Sequence, residues 1–236
     1  MEGLAKAGFT QSYSYYTWRL SKGELTEYME ELTKTERKYY MRPNFWPNTP
    51  DILPYNLQGA SETQHLIRYF LAFTLSSNAG LYGPVYELMN SDALPGREEY
   101  LNSEKFELKH HDWKKTSTLT AHIAAINKAR KENKALQRTN NIQFCEIDNE
   151  SVLAYFKKSF DGDNNILAIA SLDPNNPQSG WVKVPLDQMG IRHDEPFKVH
   201  DLISESSYIW TGEWNYVELR PPGLPYHLFR IQKSSR

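Results

Sequence analysis

Two periodicities divide the chain near residue 138. Before it, short Tyr-, Phe- and Thr-rich runs alternate with segments in which apolar residues recur at helical spacing. Gln11 to Trp18 reads as a strand. Ser21 and Glu24 then stand three apart as a capping box, and Leu25, Tyr28, Met29 and Leu32 share one helical face. Phe45-Trp46 is the core of the next strand. Ser61 and Gln64 repeat the capping signature ahead of Leu66, Tyr69, Phe70 and Phe73, predicting a helix that ends near Ser76. Ala79 to Leu88 reads as a third strand and its loop. A last helix carries Leu119, Ile123 and Ile126 inward, with Lys128, Arg130 and Lys131 near its carboxyl end, where cations suit the dipole.

Strand–helix repeated three times predicts parallel strands with right-handed crossovers. After about Asn140 the helical spacing gives way to period-two runs: Ile142–Ile147, Val152–Phe156, Ile166–Leu172, Trp181–Val184, Phe197–His200, Tyr208–Trp210, Tyr216–Leu219 and Tyr226–Ile231. Turn-rich segments such as Asp161-Gly162-Asp163-Asn164-Asn165 and Arg220-Pro221-Pro222-Gly223 separate them. Eight short strands so spaced predict an antiparallel β-sandwich. The expected division is residues 1–138 and residues 139–236.

Composition changes this picture little. A hydrophobic fraction of 39%, with 15 Tyr, 10 Phe and 6 Trp, is ample for a core. A formal charge of −2 offers no case for nucleic acid or an anionic membrane. No apolar run approaches the ~20 residues that span a bilayer, and Met1 to Lys6 has no secretory pattern. The single cysteine, Cys145, excludes an intrachain disulfide, fits a reducing compartment and reads as an inert strand residue. His110 and His111 are adjacent without a third ligand and read as a surface pair. No metal-ligand spacing is visible.

The candidate chemistry lies in Asn44-Phe45-Trp46-Pro47-Asn48-Thr49-Pro50-Asp51-Ile52-Leu53 and, some fifty positions on, Leu101-Asn102-Ser103-Glu104-Lys105-Phe106-Glu107-Leu108. Pattern alone reads the first as a strand followed by a Pro-Asp turn. In a (β/α) barrel the same place, the carboxyl end of a strand, is where chemistry sits. Together with Gln11-Ser12-Tyr13-Ser14-Tyr15-Tyr16-Thr17-Trp18-Arg19, these segments resemble the last third of the bacterial maltosyltransferases that extend α-1,4-glucan from α-maltose-1-phosphate. That family lies within the α-amylase superfamily. The resemblance runs from about Leu4 to Ile231, and its motifs are specific, since most α-amylases carry His-Asp where this chain has Pro50-Asp51.

The resemblance implies the last three βα units of a (β/α)8 TIM barrel followed by a β-sandwich. Three strands cannot close a barrel, so residues 1–138 are expected to need missing strands or a second copy, whereas the sandwich has strands enough to fold alone. It further implies maltose-1-phosphate and α-1,4-glucan as substrates, no cofactor, a cytoplasmic setting and a homodimeric intact enzyme. Asp51 corresponds to the carboxylate that stabilises the transition state at the reacting sugar. Asn48 either orients that carboxylate, touches sugar or caps the loop. Lys105 and Phe106 correspond to the segment gripping the second glucose, although the family has Tyr where this chain has Phe106, which leaves stacking without a phenolic hydrogen bond. Retaining enzymes of this plan need a nucleophilic Asp and an acid/base Glu flanking the bond; neither is expected here, so the chain alone is expected to be inactive. Trp18 and Arg19 are candidates for an acceptor groove, with an Arg19–Glu24 pair as the alternative. Tyr82, Tyr86 and Tyr100 read as packing. The competing functions are an α-amylase-like hydrolase and a non-catalytic carbohydrate-binding module.

Overall fold

A computed structural model describes residues 1–221 and 223–233; Pro222, in the turn expected at 220–223, lies outside them. The helices are α1 (Glu2–Lys6), α2 (Lys22–Lys34), α3 (Arg37–Tyr40), α4 (Glu62–Leu75), α5 (Gly83–Glu87), α6 (Thr118–Glu132) and α7 (Leu186–Met189). Three begin at serines that accept a hydrogen bond from the backbone amide three residues on: Ser21 from Glu24, Ser61 from Gln64 and Ser117 from Thr120. In α2 the reciprocal contact closes the expected capping box, because Glu24 Oε2 accepts from the Ser21 amide at 3.0 Å.

The first two strands, β1 (Ser12–Tyr13) and β2 (Pro43–Asn44), pair in parallel, and Phe45 makes a parallel bridge to Ala79. Parallel order is as the sequence predicts, but the strands are far shorter. Gln11 to Trp18 is not one strand: after Tyr13 the chain turns into a 3-10 helix at Tyr15–Trp18. The cause lies fifty residues away. The Arg68 guanidinium, buried on α4, donates to the carbonyls of Arg19 and Tyr16 at 2.8 Å each, and those bonds hold the turn. After Ala79 the expected third strand becomes the short helix α5, which starts with Pro84 in its first turn, where the missing N–H costs nothing.

The remaining strands are β3 (Ile142–Phe144), β4 (Val152–Lys158), β5 (Asn165–Ser171), β6 (Gln178–Lys183), β7 (Phe197–Asp201), β8 (Ser207–Trp210), β9 (Trp214–Leu219) and β10 (Tyr226–Lys233). Each matches one of the eight period-two runs. They form a six-stranded antiparallel sheet in the order β3-β4-β5-β10-β7-β8 and a two-stranded sheet β6-β9.

Strict alternation fails at the centre of the large sheet: every residue of β4 from Val152 to Lys157 is buried, as is every residue of β5 from Ile166 to Ser171. Both faces are covered. Val152, Ala154, Phe156, Leu167 and Ile169 pack in the core against Val182 and Val217 of the small sheet. Leu153, Tyr155, Ile166, Ala168, Tyr226 and Leu228 belong to a second core with α4 and α6. The Phe70 and Tyr226 rings stack across that boundary, 4.2 Å apart and 8° from parallel. For the same reason α4 is not the one-sided helix its spacing suggests, since it is buried from His65 to Leu75.

Lys157 is the most demanding member of this interface. It is fully buried, and its ammonium donates to the carbonyls of Thr74 and Leu75 at 3.1 and 3.2 Å, at the carboxyl end of α4. Burial, with the Arg130 charge nearby, pushes its pKa down to about 7.

Candidate functional site

Because β1, β2 and the Ala79 bridge run in parallel, the loops that follow them leave on the same side. The loop after β2 carries Asp51. Thr49 and Ile52 exchange both backbone hydrogen bonds, at 3.1 and 3.3 Å, and the tight turn between them presents Pro50 and Asp51 to solvent. Asp51 Oδ1 accepts from the Thr49 hydroxyl at 2.8 Å, which fixes the carboxylate without burying it. An exposed, oriented carboxylate of this kind can accept hydroxyls of a ligand.

Both flanks of the turn are anchored. On one side Asn48 is fully buried; its amide donates to the Tyr100 hydroxyl at 2.8 Å and the Tyr82 carbonyl at 3.4 Å, and accepts from the Tyr82 amide at 3.2 Å. Of the three roles expected for Asn48, these contacts favour holding the loop over touching sugar. Its polar atoms are spent on the neighbouring loop and no surface is left for a sugar, so it is a clamp. On the other side Leu53 N–H donates to the Glu98 carbonyl at 2.9 Å. The Glu98 carboxylate accepts from the Tyr55 amide at 3.0 Å and from the Trp18 indole at 2.9 Å. Glu98 thus ties together the loops that follow all three parallel segments.

The second motif lies beyond Tyr82. Ser103 organises it: its hydroxyl accepts from the Lys105 amide at 3.2 Å and its carbonyl from the Phe106 amide at 2.9 Å. Lys105 and Phe106 are both exposed, Phe106 to 77%, with the ammonium 5.5 Å from the ring centroid. Beside them Tyr82, Tyr100, Ser103, Glu104, His111 and Asp112 contribute to the wall of a cavity of about 380 Å³. The Tyr82 hydroxyl donates to Glu104, which holds that carboxyl below its usual range, and His111 Nε2 lies 3.2 Å from its other oxygen. Burial raises the Tyr100 phenol to about 12. Tyr82 and Tyr100 were expected to be packing residues; they do pack edge-to-face at 6.0 Å, but they also line this cavity. Tyr86 is a core residue. Tyr82, which belongs to neither sequence motif, joins them: its backbone bonds Asn48 and its hydroxyl bonds Glu104.

Of the other candidates, Arg19 lies over the Tyr28 ring at 5.5 Å, while Glu24 is committed to the cap of α2. Cys145 is buried just past β3, and burial lifts its thiol pKa to about 12, so it is inert at neutral pH. Among the described residues no group of three or more His, Cys, Asp or Glu is placed to hold a metal ion, and no helix is long and apolar enough to cross a membrane.

The chain is similar to known proteins along its length. A family model described as GLGE, C-terminal, matches residues 144–231. The alpha-1,4-glucan:maltose-1-phosphate maltosyltransferase of Chlorobaculum tepidum is 50% identical over 241 residues, covering 100% of this chain and 36% of that protein. The enzyme of the same name from Methylacidiphilum infernorum is 44% identical over 233 residues, covering 98% of this chain and 35% of that protein. The chain therefore spans about a third of the length of the curated relatives it matches. Among solved structures, the α-amylase of Geobacillus thermoleovorans complexed with acarbose aligns with a TM-score of 0.72 at 12% identity, over 99% of this chain and 50% of that one. An Anoxybacillus α-amylase aligns with a TM-score of 0.72 at 10% identity, over 99% and 50%. At such identities the likeness is one of fold. The sequence matches run along the whole of this chain, which is similar to a carboxyl-terminal portion of the α-1,4-glucan:maltose-1-phosphate maltosyltransferases.

Proposed function

We propose that this chain forms the carboxyl-terminal part of a maltosyltransferase that moves maltosyl units from α-maltose-1-phosphate to the non-reducing end of α-1,4-glucan with retention. In this reading residues 1–138 supply the last three βα units of a (β/α)8 barrel, and residues 139–236 the β-sandwich packed on it. The observation that supports it most directly is Asp51: an exposed carboxylate on a doubly anchored turn, at the carboxyl end of the second of three parallel segments.

Asp51 accepts hydrogen bonds from hydroxyls of the reacting sugar. Those bonds strengthen as the ring flattens and gains positive charge, so they stabilise the transition state more than the bound substrate. Thr49 keeps one carboxylate oxygen oriented, while the Asn48 and Glu98 anchors keep the turn from shifting as charge develops. Lys105 offers three donors to the second glucose, and the open face of Phe106 stacks on its C–H surface. The nucleophile and the acid/base carboxylate come from the part of the longer proteins that this chain does not span.

The test uses the full-length protein carrying this sequence. Asp51→Asn removes the charge and keeps the shape. Maltosyl transfer to glycogen and phosphate release should both fall by about 10²–10³-fold, the scale of losing one preorganised electrostatic contact. Near-unchanged turnover would return Asp51 to the role of a turn residue. Phosphate release without growth of the glucan would favour the hydrolase alternative.

A further inference from the structure

The outer face of the small sheet carries aromatic residues that neither the candidate site nor the core uses. Register sets Ser179 opposite Glu218, Trp181 opposite Tyr216 and Lys183 opposite Trp214. Alternation points these six outward, while Val182, Val217 and Leu219 point into the core. Trp181, Trp214 and Tyr216 remain 49%, 41% and 53% accessible, which is unusual for three large rings on neighbouring strand positions. The Trp181 and Tyr216 rings lie 5.7 Å apart at 61° to one another, and Lys183 Nζ sits 5.7 Å from the Trp214 ring.

The chemistry of the face selects its occupant. Its apolar side chains are all aromatic and its other outward positions are polar, whereas a protein or membrane contact usually adds aliphatic groups. Its charges are matched: Lys183 pairs with Glu146 at 3.2 Å and Arg220 with Glu218 at 2.7 Å. Such a surface has no net attraction for nucleic acid or anionic lipid, but offers ring faces for C–H surfaces and ionic side chains for hydroxyls. Neutral sugars present that combination. The tilt between the rings suits a polymer that turns from one residue to the next, as an α-1,4-linked chain does, rather than a flat ribbon. Beside Trp214 a cavity of about 440 Å³, lined by Lys22, Glu146 and Asp148, extends the face.

The platform is also rigid. The Trp181 backbone amide donates to Asp148 Oδ1 at 2.7 Å, the Lys183 backbone amide to the Glu146 carbonyl at 2.9 Å, and the Asn149 side-chain Nδ2 to the Ser179 carbonyl at 2.8 Å. Preformed rings cost little to order on binding.

We propose that Trp181, Tyr216 and Trp214 form a surface site for α-1,4-glucan, separate from the Asp51 site, that holds the polymer while its end is extended. The choice of glucan rests on the function proposed above; the choice of a neutral polysaccharide rests on the face itself.

The test uses the 236-residue chain. Native electrophoresis through glycogen-containing gel should retard the wild type, and W181A/Y216A should migrate as without glycogen, its Kd for maltoheptaose raised at least about tenfold. Phe160→Ala, an exposed ring in the turn between β4 and β5, should be retarded like the wild type. Because a double substitution can disturb the sheet, the indole N–H resonances of the six tryptophans are followed in the unaltered chain during a maltoheptaose titration. Trp181 and Trp214 should shift. Absence of retardation, shifts confined to Trp18 or Trp113, or a dimer that W181A dissociates without any sugar binding would each overturn the proposal, the last by making the face an interface between copies. In the full-length protein, W181A/Y216A should transfer normally to a short maltooligosaccharide and poorly to glycogen. Glycogen retention without maltosyl transfer would sink the catalytic reading and leave this site standing.

Discussion

Asn48→Ala tests whether the turn bearing Asp51 is held from beneath. The substitution removes three hydrogen bonds, to the Tyr100 hydroxyl and to the amide and carbonyl of Tyr82. A buried polar group left without a partner costs about 1–3 kcal/mol. Tyr82 and Tyr100 border a cavity of about 380 Å³, so water can replace part of what is lost. Three groups at the lower end of that range give a loss of about 2–4 kcal/mol. For a chain of this size that lowers Tm by roughly 5–15 °C. Thermal and urea unfolding followed by circular dichroism supplies the first measurement. A double-mutant cycle with Tyr100→Phe supplies the second, with an expected coupling of about 1 kcal/mol or more, since the two side chains share a 2.8 Å bond. Hydrogen exchange should accelerate at the Tyr82 amide while that of Leu228, in the core, stays slow. A loss below about 1 kcal/mol with additive single effects would refute the clamp, and with it the account of how Asp51 is positioned.

Other expectations are as definite. Gly80→Ala should cost about 1–3 kcal/mol by overpacking, because a Cβ there would lie 2.3 Å from the Trp46 indole; unchanged stability and unchanged Trp46 fluorescence would contradict it. For Lys157 the folded pKa of about 7 lies below the ordinary lysine value of 10.5, so the unfolded chain holds the extra proton between them. Stability should therefore rise with pH by up to about 1.4 kcal/mol per unit from about pH 7 to pH 9, and Lys157→Met should flatten that slope in urea titrations. Burial likewise lowers the pKa of His65 and His122, so stability should fall as pH drops below about 6.5, and replacing both with Gln should blunt that loss in the same titrations. Lys105→Ala in the full-length protein should lower kcat/KM for maltose-1-phosphate about tenfold, the worth of one or two hydrogen bonds, while sparing a one-glucose donor; an equal fall on both would remove its role at the second sugar.

What could be read from the sequence was whatever is decided within a few residues. The Ser21–Glu24 box and the Ser61 cap are local contacts, and both helices start where those serines stand. The eight strands of the sandwich likewise follow from their own alternation and turns. The 3-10 turn at Tyr15–Trp18 escaped because Arg68, its anchor, is 52 positions from Tyr16. The spacing marked Leu66, Tyr69, Phe70 and Phe73 as the inward face of α4 and said nothing of Arg68, His65 or Thr74. Each in fact bonds backbone carbonyls inside the core, Arg68 through its two terminal nitrogens, His65 to Ser61 at 2.9 Å and Thr74 to Phe70 at 2.6 Å. At the candidate site, Asp51, Lys105 and Asn48 were singled out through motif resemblance, but Glu98 and Tyr82, which help anchor them, were not. Glu98 reaches Trp18 across 80 positions from an irregular loop, and no short pattern marks such a residue.

The double covering of β4 and β5 bears on how this architecture can be recombined. A sandwich cut free near residue 138 would expose Tyr155, Ile166, Ala168 and Tyr226, now roofed by α4 and α6, and would strand the Lys157 ammonium without its helix-end carbonyls. Its strand count suggests a portable module; its packing makes it one half of a shared wall. Any chimaera that borrows this sheet has to bring both helices with it, so the seam available for swapping lies before α4 rather than at the change of periodicity.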